Sequence, residues 1–170
     1  MALIDVDIAD LRISDKPGDM LITYSLGSCI GVTVFDPVVR VGGMIHCMLP
    51  LAKVDREKSL ERPAMFVDTG MHMLLYNLFE MGVRKANAVV NVAGGAHVLD
   101  NQGLFKIGER NMTVLRKILW KNGMLLHVKE VGGKVSRTIK LDIGTGDFFV
   151  KSRGQEICYG IPGKNRQSSK

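Results

Sequence analysis

Apolar positions along this chain follow two periods. In the N-terminal third they come as short β-branched runs. Met20 to Tyr24, Ile30 to Phe35 and Val38 to Leu49 succeed one another across Gly-rich and Asp-Pro breaks and predict three strands. Further on the spacing lengthens. Phe66, Val67, Leu74, Leu75, Leu78 and Met81 recur at helical intervals between Pro63 and Gly82, which predicts an amphipathic helix opened by the proline and stopped by the glycine. Asn111 to Asn122 predicts a second helix. Val114, Leu115, Ile118 and Leu119 form its buried stripe, Arg110, Arg116, Lys117 and Lys121 its outer side, and Gly123 its cap. Ala88 to Ala93 is continuously apolar, as a buried strand is, and leads into Gly94-Gly95-Ala96. Met124 to Val128, Ser136 to Ile143 and Phe148 to Lys151 predict further strands, with Gly132-Gly133 as the turn between the first two. Ala52 to Arg62 is charged and aperiodic and predicts a surface loop, placed to form one wall of a groove beyond His46. About seven or eight strands and two long helices make an α+β chain, whose sheet order the pattern does not give.

Composition narrows the class. A length of 170 residues suits one domain, expected over residues 1–159. From Gly160 the chain turns to Gly, Pro, Ser and basic residues, a disordered tail by composition. Three cysteines without paired spacing exclude a disulfide framework, and with no Cys-x-x-Cys and with His72, His97 and His127 scattered, neither a metal site nor a cofactor is expected. Met1 to Asp19 alternates acids with short aliphatics and is no signal peptide, and no apolar run reaches membrane-spanning length. The expected location is the cytoplasm, where thiols stay reduced. Several of the charges behind the net +6 lie in the tail without interleaved aromatics, which argues against nucleic-acid binding. A modest basic surface instead suits steering toward an acidic partner.

The candidate chemistry lies between Thr23 and Pro50. Gly27-Ser28-Cys29-Ile30-Gly31 sets a thiol in a glycine-framed turn, and Gly42-Gly43-Met44-Ile45-His46 ends the next apolar run on an imidazole. Adjacent antiparallel strands would bring the two together as a nucleophile and its base, with the imidazolium lowering the thiol pKa. The glycines allow close substrate approach and leave the amides near Ser28 and Cys29 to face an oxyanion. Thr23 or Tyr24, ending the preceding strand, would orient the imidazole. Cys47 falls on the opposite face by strand alternation and belongs to the core. His97 is a weaker rival for the base, and His72 an ordinary helix residue. Gly27 to Gly31 also matches the spacing of a nucleophile elbow, but that elbow requires a following helix, and β-branched residues follow here. Gly94-Gly95 lacks a phosphate-loop lysine or a third glycine and is a tight loop beside the site.

These segments resemble the CheD family of chemoreceptor glutamine deamidases. Leu26-Gly27-Ser28-Cys29 is similar to the family's nucleophile segment, and Gly42-Gly43 with His46 and Met48-Leu49-Pro50 to its histidine segment. Phe66-Val67-Asp68-Thr69-Gly70, Gly94-Gly95-Ala96, Ile107-Gly108-Glu109-Arg110-Asn111 and Thr145-Gly146 continue the likeness collinearly. Ala93, Gly70 and Ser136 depart from the family's aromatic, alanine and glycine, away from the chemistry. The resemblance implies an inner, sandwich-like pair of mixed sheets flanked by helices, distantly similar to deamidase toxins of the cytotoxic necrotizing factor kind. It implies Cys29, His46 and Thr23 as catalytic residues, converting receptor glutamines to glutamate through a thioester. Gly27, Ser28, Gly94 and Gly95 are the candidate substrate-binding or oxyanion set. Implied partners are the cytoplasmic helices of methyl-accepting receptors and a CheC-like phosphatase. A binding module regulating that phosphatase is the alternative function.

Overall fold

The computed structural model describes residues 2–98 and 106–163. Ten strands among them form two five-stranded mixed sheets. The first runs in the order β1 (Ala2–Asp5), β3 (Asp19–Leu26), β8 (Arg137–Asp142), β9 (Phe148–Ser152), β10 (Gln155–Tyr159). The second runs β2 (Leu11–Ser14), β5 (Val41–Cys47), β4 (Ile30–Asp36), β6 (Val89–Gly94), β7 (Leu126–Val131). β1 lies parallel to β3 and β7 parallel to β6, and the other pairs are antiparallel.

β4 and β5 are buried at every position, which is why they appear as near-continuous apolar runs. Alternation splits their side chains between two cores. Ile30, Val32, Val34, Ile45 and Cys47 pack under α2 (Val67–Glu80) and α3 (Ile107–Lys121) through Met71, Leu74, Leu78, Met112 and Leu115. Phe35 and Met44 point the other way, into Leu21, Ile139, Leu141, Phe148 and Val150 of the first sheet. The molecule is therefore α+β in three layers, sheet on sheet on helices, and both long helices cover the same sheet.

Several boundaries differ from the sequence expectation. Val38 to Leu49 is not one strand. Asp36 accepts from the amides of Val38, Val39 and Arg84, folding residues 37–40 into a turn with Val38 and Val39 exposed. The segment Ala52 to Arg62 holds a 3-10 turn (Ala52–Val54) and a short helix, α1 (Arg56–Glu61), capped by Asp55 accepting from Lys58. α1 buries no residue, so it left no apolar period to detect. Pro63 opens a 3-10 turn rather than α2, which begins at Val67. α3 begins at Ile107, ahead of Asn111, because Gly108 packs backbone to backbone on Gly95 without an apolar side chain. Gly132-Gly133 joins no hairpin: β7 pairs with β6, β8 with β3 and β9, and the glycines carry the chain between sheets. The short edge strands β1, β2 and β10 were not expected. Of the tail, Gly160 accepts from His127 and Ile161 packs on the inter-sheet core, while 164–170 lie outside the described residues.

Candidate active site

β4 and β5 pair with Gly31 opposite His46 and Ile30 opposite Cys47. Cys29, immediately before β4, lies on the inter-sheet side with Gly31 and His46, and packs against that core. His46 is 1% exposed, and its backbone is pinned on both sides by the segment preceding β2: its N–H donates to Asp10 and its carbonyl accepts from Ala9, both at 3.0 Å. Across the sandwich, Thr23 of β3 reaches it, with Oγ1 2.7 Å from His46 Nδ1. The approach depends on Gly31. A Cβ there would meet the side chains of Ile139 at 2.6 Å and Leu26 at 2.9 Å, with Thr23 Cγ2 at 3.4 Å.

Thr23 settles the tautomer. Its hydroxyl has one proton, which it donates to the Val6 carbonyl at 2.7 Å. It must therefore accept from His46 Nδ1–H, leaving Nε2 with its lone pair. That Nε2 is buried and has no hydrogen-bond partner among the described residues. Burial lowers the His46 pKa to about 4, so the ring is neutral at physiological pH. Burial also raises the Cys29 thiol, only partly countered by a hydrogen bond from its own backbone amide. The expected resting ion pair is thus replaced by a neutral thiol and a neutral imidazole, because both charged forms lose hydration here. Tyr24, the other candidate orienter, is 49% exposed. A bulge between Thr23 and Leu26, with Ser25 at φ +56°, lets Thr23 and Leu26 both face inward.

The nucleophile turn rests on the glycine loop. The Gly95 amide donates to the Cys29 carbonyl and that of Ala96 to the Gly27 carbonyl, both at 2.8 Å. A Cβ on Gly94, at φ +107°, would sit 2.2 Å from the Cys29 carbonyl oxygen. Gly95's amide is therefore engaged, and the pair buttresses the nucleophile turn. Ser28 is exposed, and Gly27 and Cys29 are half-buried, so the nucleophile turn lies at the surface while His46 is buried on the same side of the sheet. Cys47 lies on the helix side, fully buried, and its thiol is pushed far up by burial. His97 stands 3.7 Å from Glu109 instead of at the thiol, and His72 faces solvent on α2.

A sequence model described as CheD chemotactic sensory transduction matches residues 48–152. A protein of Syntrophus aciditrophicus, "Probable chemoreceptor glutamine deamidase CheD 1", is 45% identical over 88% of this chain and 93% of its own. The chain belongs to the CheD family. A similarly named CheD protein of Solibacter usitatus is 43% identical over 92% of each chain, and one from Pyrococcus horikoshii 39% identical over 86% of this chain and 90% of its own. The matched family stretch begins after Thr23, Cys29 and His46. Coverage of 92% leaves too few residues outside the Solibacter alignment for any of the three to fall beyond it.

Within this CheD fold, residues that the sequence reading did not assign to the candidate site brace it. Val6 supplies the carbonyl that orients Thr23, and Asp10 and Ala9 hold the His46 backbone. Alternation over Leu11 to Ser14 was the available signal for β2, too short to register. Arg137, buried at the edge of β8, donates to the carbonyls of Gly94 and Gly132 and braces the glycine loop. Asn111 reaches both the nucleophile turn and the chain after His46.

Proposed function

We propose that this chain is a chemoreceptor glutamine deamidase in which Cys29, His46 and Thr23 carry the reaction. Sγ of Cys29 attacks the side-chain carbonyl carbon of a receptor glutamine while Nε2 of His46 takes the thiol proton. The C–N bond of the resulting tetrahedral adduct breaks as His46 returns that proton to the departing ammonia. Water, deprotonated by the same nitrogen, attacks the thioester, breaks the C–S bond and releases glutamate and the free thiol. Thr23 accepts from Nδ1–H throughout and holds the ring in the plane that presents Nε2. Gly27 and Ser28 frame the approach, and the amides at Ser28 and Cys29 face the oxyanion.

The observation that carries this reading is the chain from Val6 through Thr23 to His46, which ends on a buried nitrogen with a free lone pair. A purely structural histidine on an inter-sheet face has no use for an unmade hydrogen bond costing about 1–3 kcal/mol. The names of the relatives supply the substrate. We place the enzyme in the cytoplasm as a single domain over residues 1–159. No described helix is long and apolar enough to cross a membrane. A CheC-like phosphatase docking over the Cys29 turn would compete with receptor. The test is incubation with a receptor cytoplasmic fragment and mass-spectrometric mapping of glutamine-to-glutamate conversion. Conversion is expected with the parent and not with folded Cys29→Ala; equal conversion by both would sink the assignment.

A further inference from the structure

Three consecutive carbonyls of the nucleophile turn are held from outside it. Backbone amides of the glycine loop hold those of Gly27 and Cys29. The one between, Ser28, is held by a side chain: Asn111 Nδ2 of α3 donates to it at 3.0 Å. The same nitrogen donates to the carbonyl of Met48, two residues past His46, at 3.1 Å. Both neighbours are acceptors, so the amide can only face them with its NH2, one proton for each. Asn111 is 0% exposed, and its Oδ1 is buried with no hydrogen-bond partner among the described residues. Its helix neighbours Met112 and Leu115 fill the core with apolar side chains. An apolar residue at 111 would remove the unmet Oδ1 but would strip the Ser28 and Met48 carbonyls of this donor, so what needs explaining is why these two carbonyls are tied to one side-chain amide.

The peptide plane explains it. In a trans peptide the carbonyl and the following N–H point in opposite directions. Fixing the Ser28 carbonyl toward α3 aims the Cys29 N–H away from α3. Before attack that N–H eases ionisation of the Cys29 sulfur against burial, and on attack it is one of the two amides turned to the oxyanion. The second bond, to Met48, ties the same amide to the end of the segment that carries His46.

We propose that Asn111 is a positioning residue for the reaction, its one NH2 setting both the aim of the Cys29 amide and the spacing between nucleophile turn and base. The proposal rests on Cys29 and His46 being the reacting pair. It is tested with Asn111→Leu, which keeps the branched skeleton but is bulkier and has no donor, and Asn111→Asp, whose protonated carboxyl donates to only one of the two carbonyls. In folded Asn111→Leu, kcat on a receptor fragment should fall on the order of tenfold or more while KM stays within about twofold. Iodoacetamide labelling of Cys29, followed by peptide mass spectrometry across pH, should slow several-fold at neutral pH and shift to higher pH. Asn111→Asp should lie between Leu and parent. A packing role predicts a parental labelling profile and kcat for Asn111→Leu, and that result overturns the proposal. Labelling needs no receptor, so the two readings separate. Deamidation by Cys29→Ala defeats the assignment of the nucleophile, whereas inactive Cys29→Ala with an unaltered Asn111→Leu defeats only the positioning. Should neither variant fold, NMR of the parent decides. Both Asn111 side-chain protons should exchange slowly and couple to the Ser28 and Met48 carbonyl carbons, and absence of either coupling overturns the proposal.

Discussion

The β4–β5 hairpin has two faces built to different rules. On the helix face Ile30, Val32, Val34, Ile45 and Cys47 meet Met71, Leu74, Leu78 and Leu115, all apolar and all fully buried. On the sheet face Gly31, Thr33, Gly42 and His46 alternate with them, and Thr23 crosses the layer to join His46. Each contact of the first face is weak and has many neighbours to share its loss. The polar groups of the second face have few partners: Thr23 Oγ1 has two, His46 Nδ1 has Thr23, and His46 Nε2 and Thr33 Oγ1 have none among the described residues. The same two strands thus separate an apolar packing face from the face that carries the proposed catalytic residues by a one-residue alternation. The two cysteines show it best: Cys47 is fully buried among aliphatic side chains on the helix face, while Cys29 is half-open just ahead of β4 on the other.

The largest effect should come from the sheet face. Cys29→Ala and His46→Ala should each reduce kcat/KM by at least about a thousandfold, roughly 4 kcal/mol, and the double variant should lose little more, since the pair acts as a unit. Cys47→Ala should keep parental turnover. Fully additive losses, measured on folded protein, would show that the two residues act in separate steps. On the helix face, Leu74→Ala should lower unfolding free energy by about 2–5 kcal/mol in denaturant titration, with turnover per folded molecule unchanged. A large fall in kcat there would erase the distinction between the faces.

The pH dependence of stability sharpens it further. His46 titrates at about 4 when folded against an ordinary 6.5, so between those values the unfolded chain binds the extra proton. Its contribution therefore destabilises the fold as pH drops from about 6.5 to about 4, by on the order of 3 kcal/mol in total, and is flat above that window. Denaturant titrations of parent and His46→Gln across this range should differ by that slope. Parallel curves would mean the ring is not buried neutral. The smallest effect belongs to Thr23. Thr23→Ala should cost about ten- to a hundredfold in kcat, roughly 1.4–2.7 kcal/mol, and Thr23→Ser should restore most of it. Parental kcat in Thr23→Ala would require another group to orient His46.

Much of this was legible from residue order because strand alternation and helical period are local. Cys29 in its glycine turn, His46 at the end of the next run and Cys47 on the far face all follow from counting along the chain. So do most of the buried stripes of α2 and α3, with Met81 exposed past the end of α2 and Val114 and Ile118 only partly buried, although α1 and β1, which bury little, left no trace in the pattern. What only the tertiary structure decided lies where one sheet or helix meets another. Thr23 and Tyr24 are equivalent as letters. The bulge at Ser25 turns Thr23 toward His46 and leaves Tyr24 in solvent. Gly94-Gly95 was legible as a tight loop beside the site, but that the Gly95 amide donates to the Cys29 carbonyl was not. The neutral state of the thiol–imidazole pair comes from three-dimensional burial, which no local spacing encodes. Val6 lies 17 residues from Thr23, and Asn111 lies 83 from Ser28 and 63 from Met48, separations at which hydrogen bonds depend on how the layers pack and sequence period carries no information.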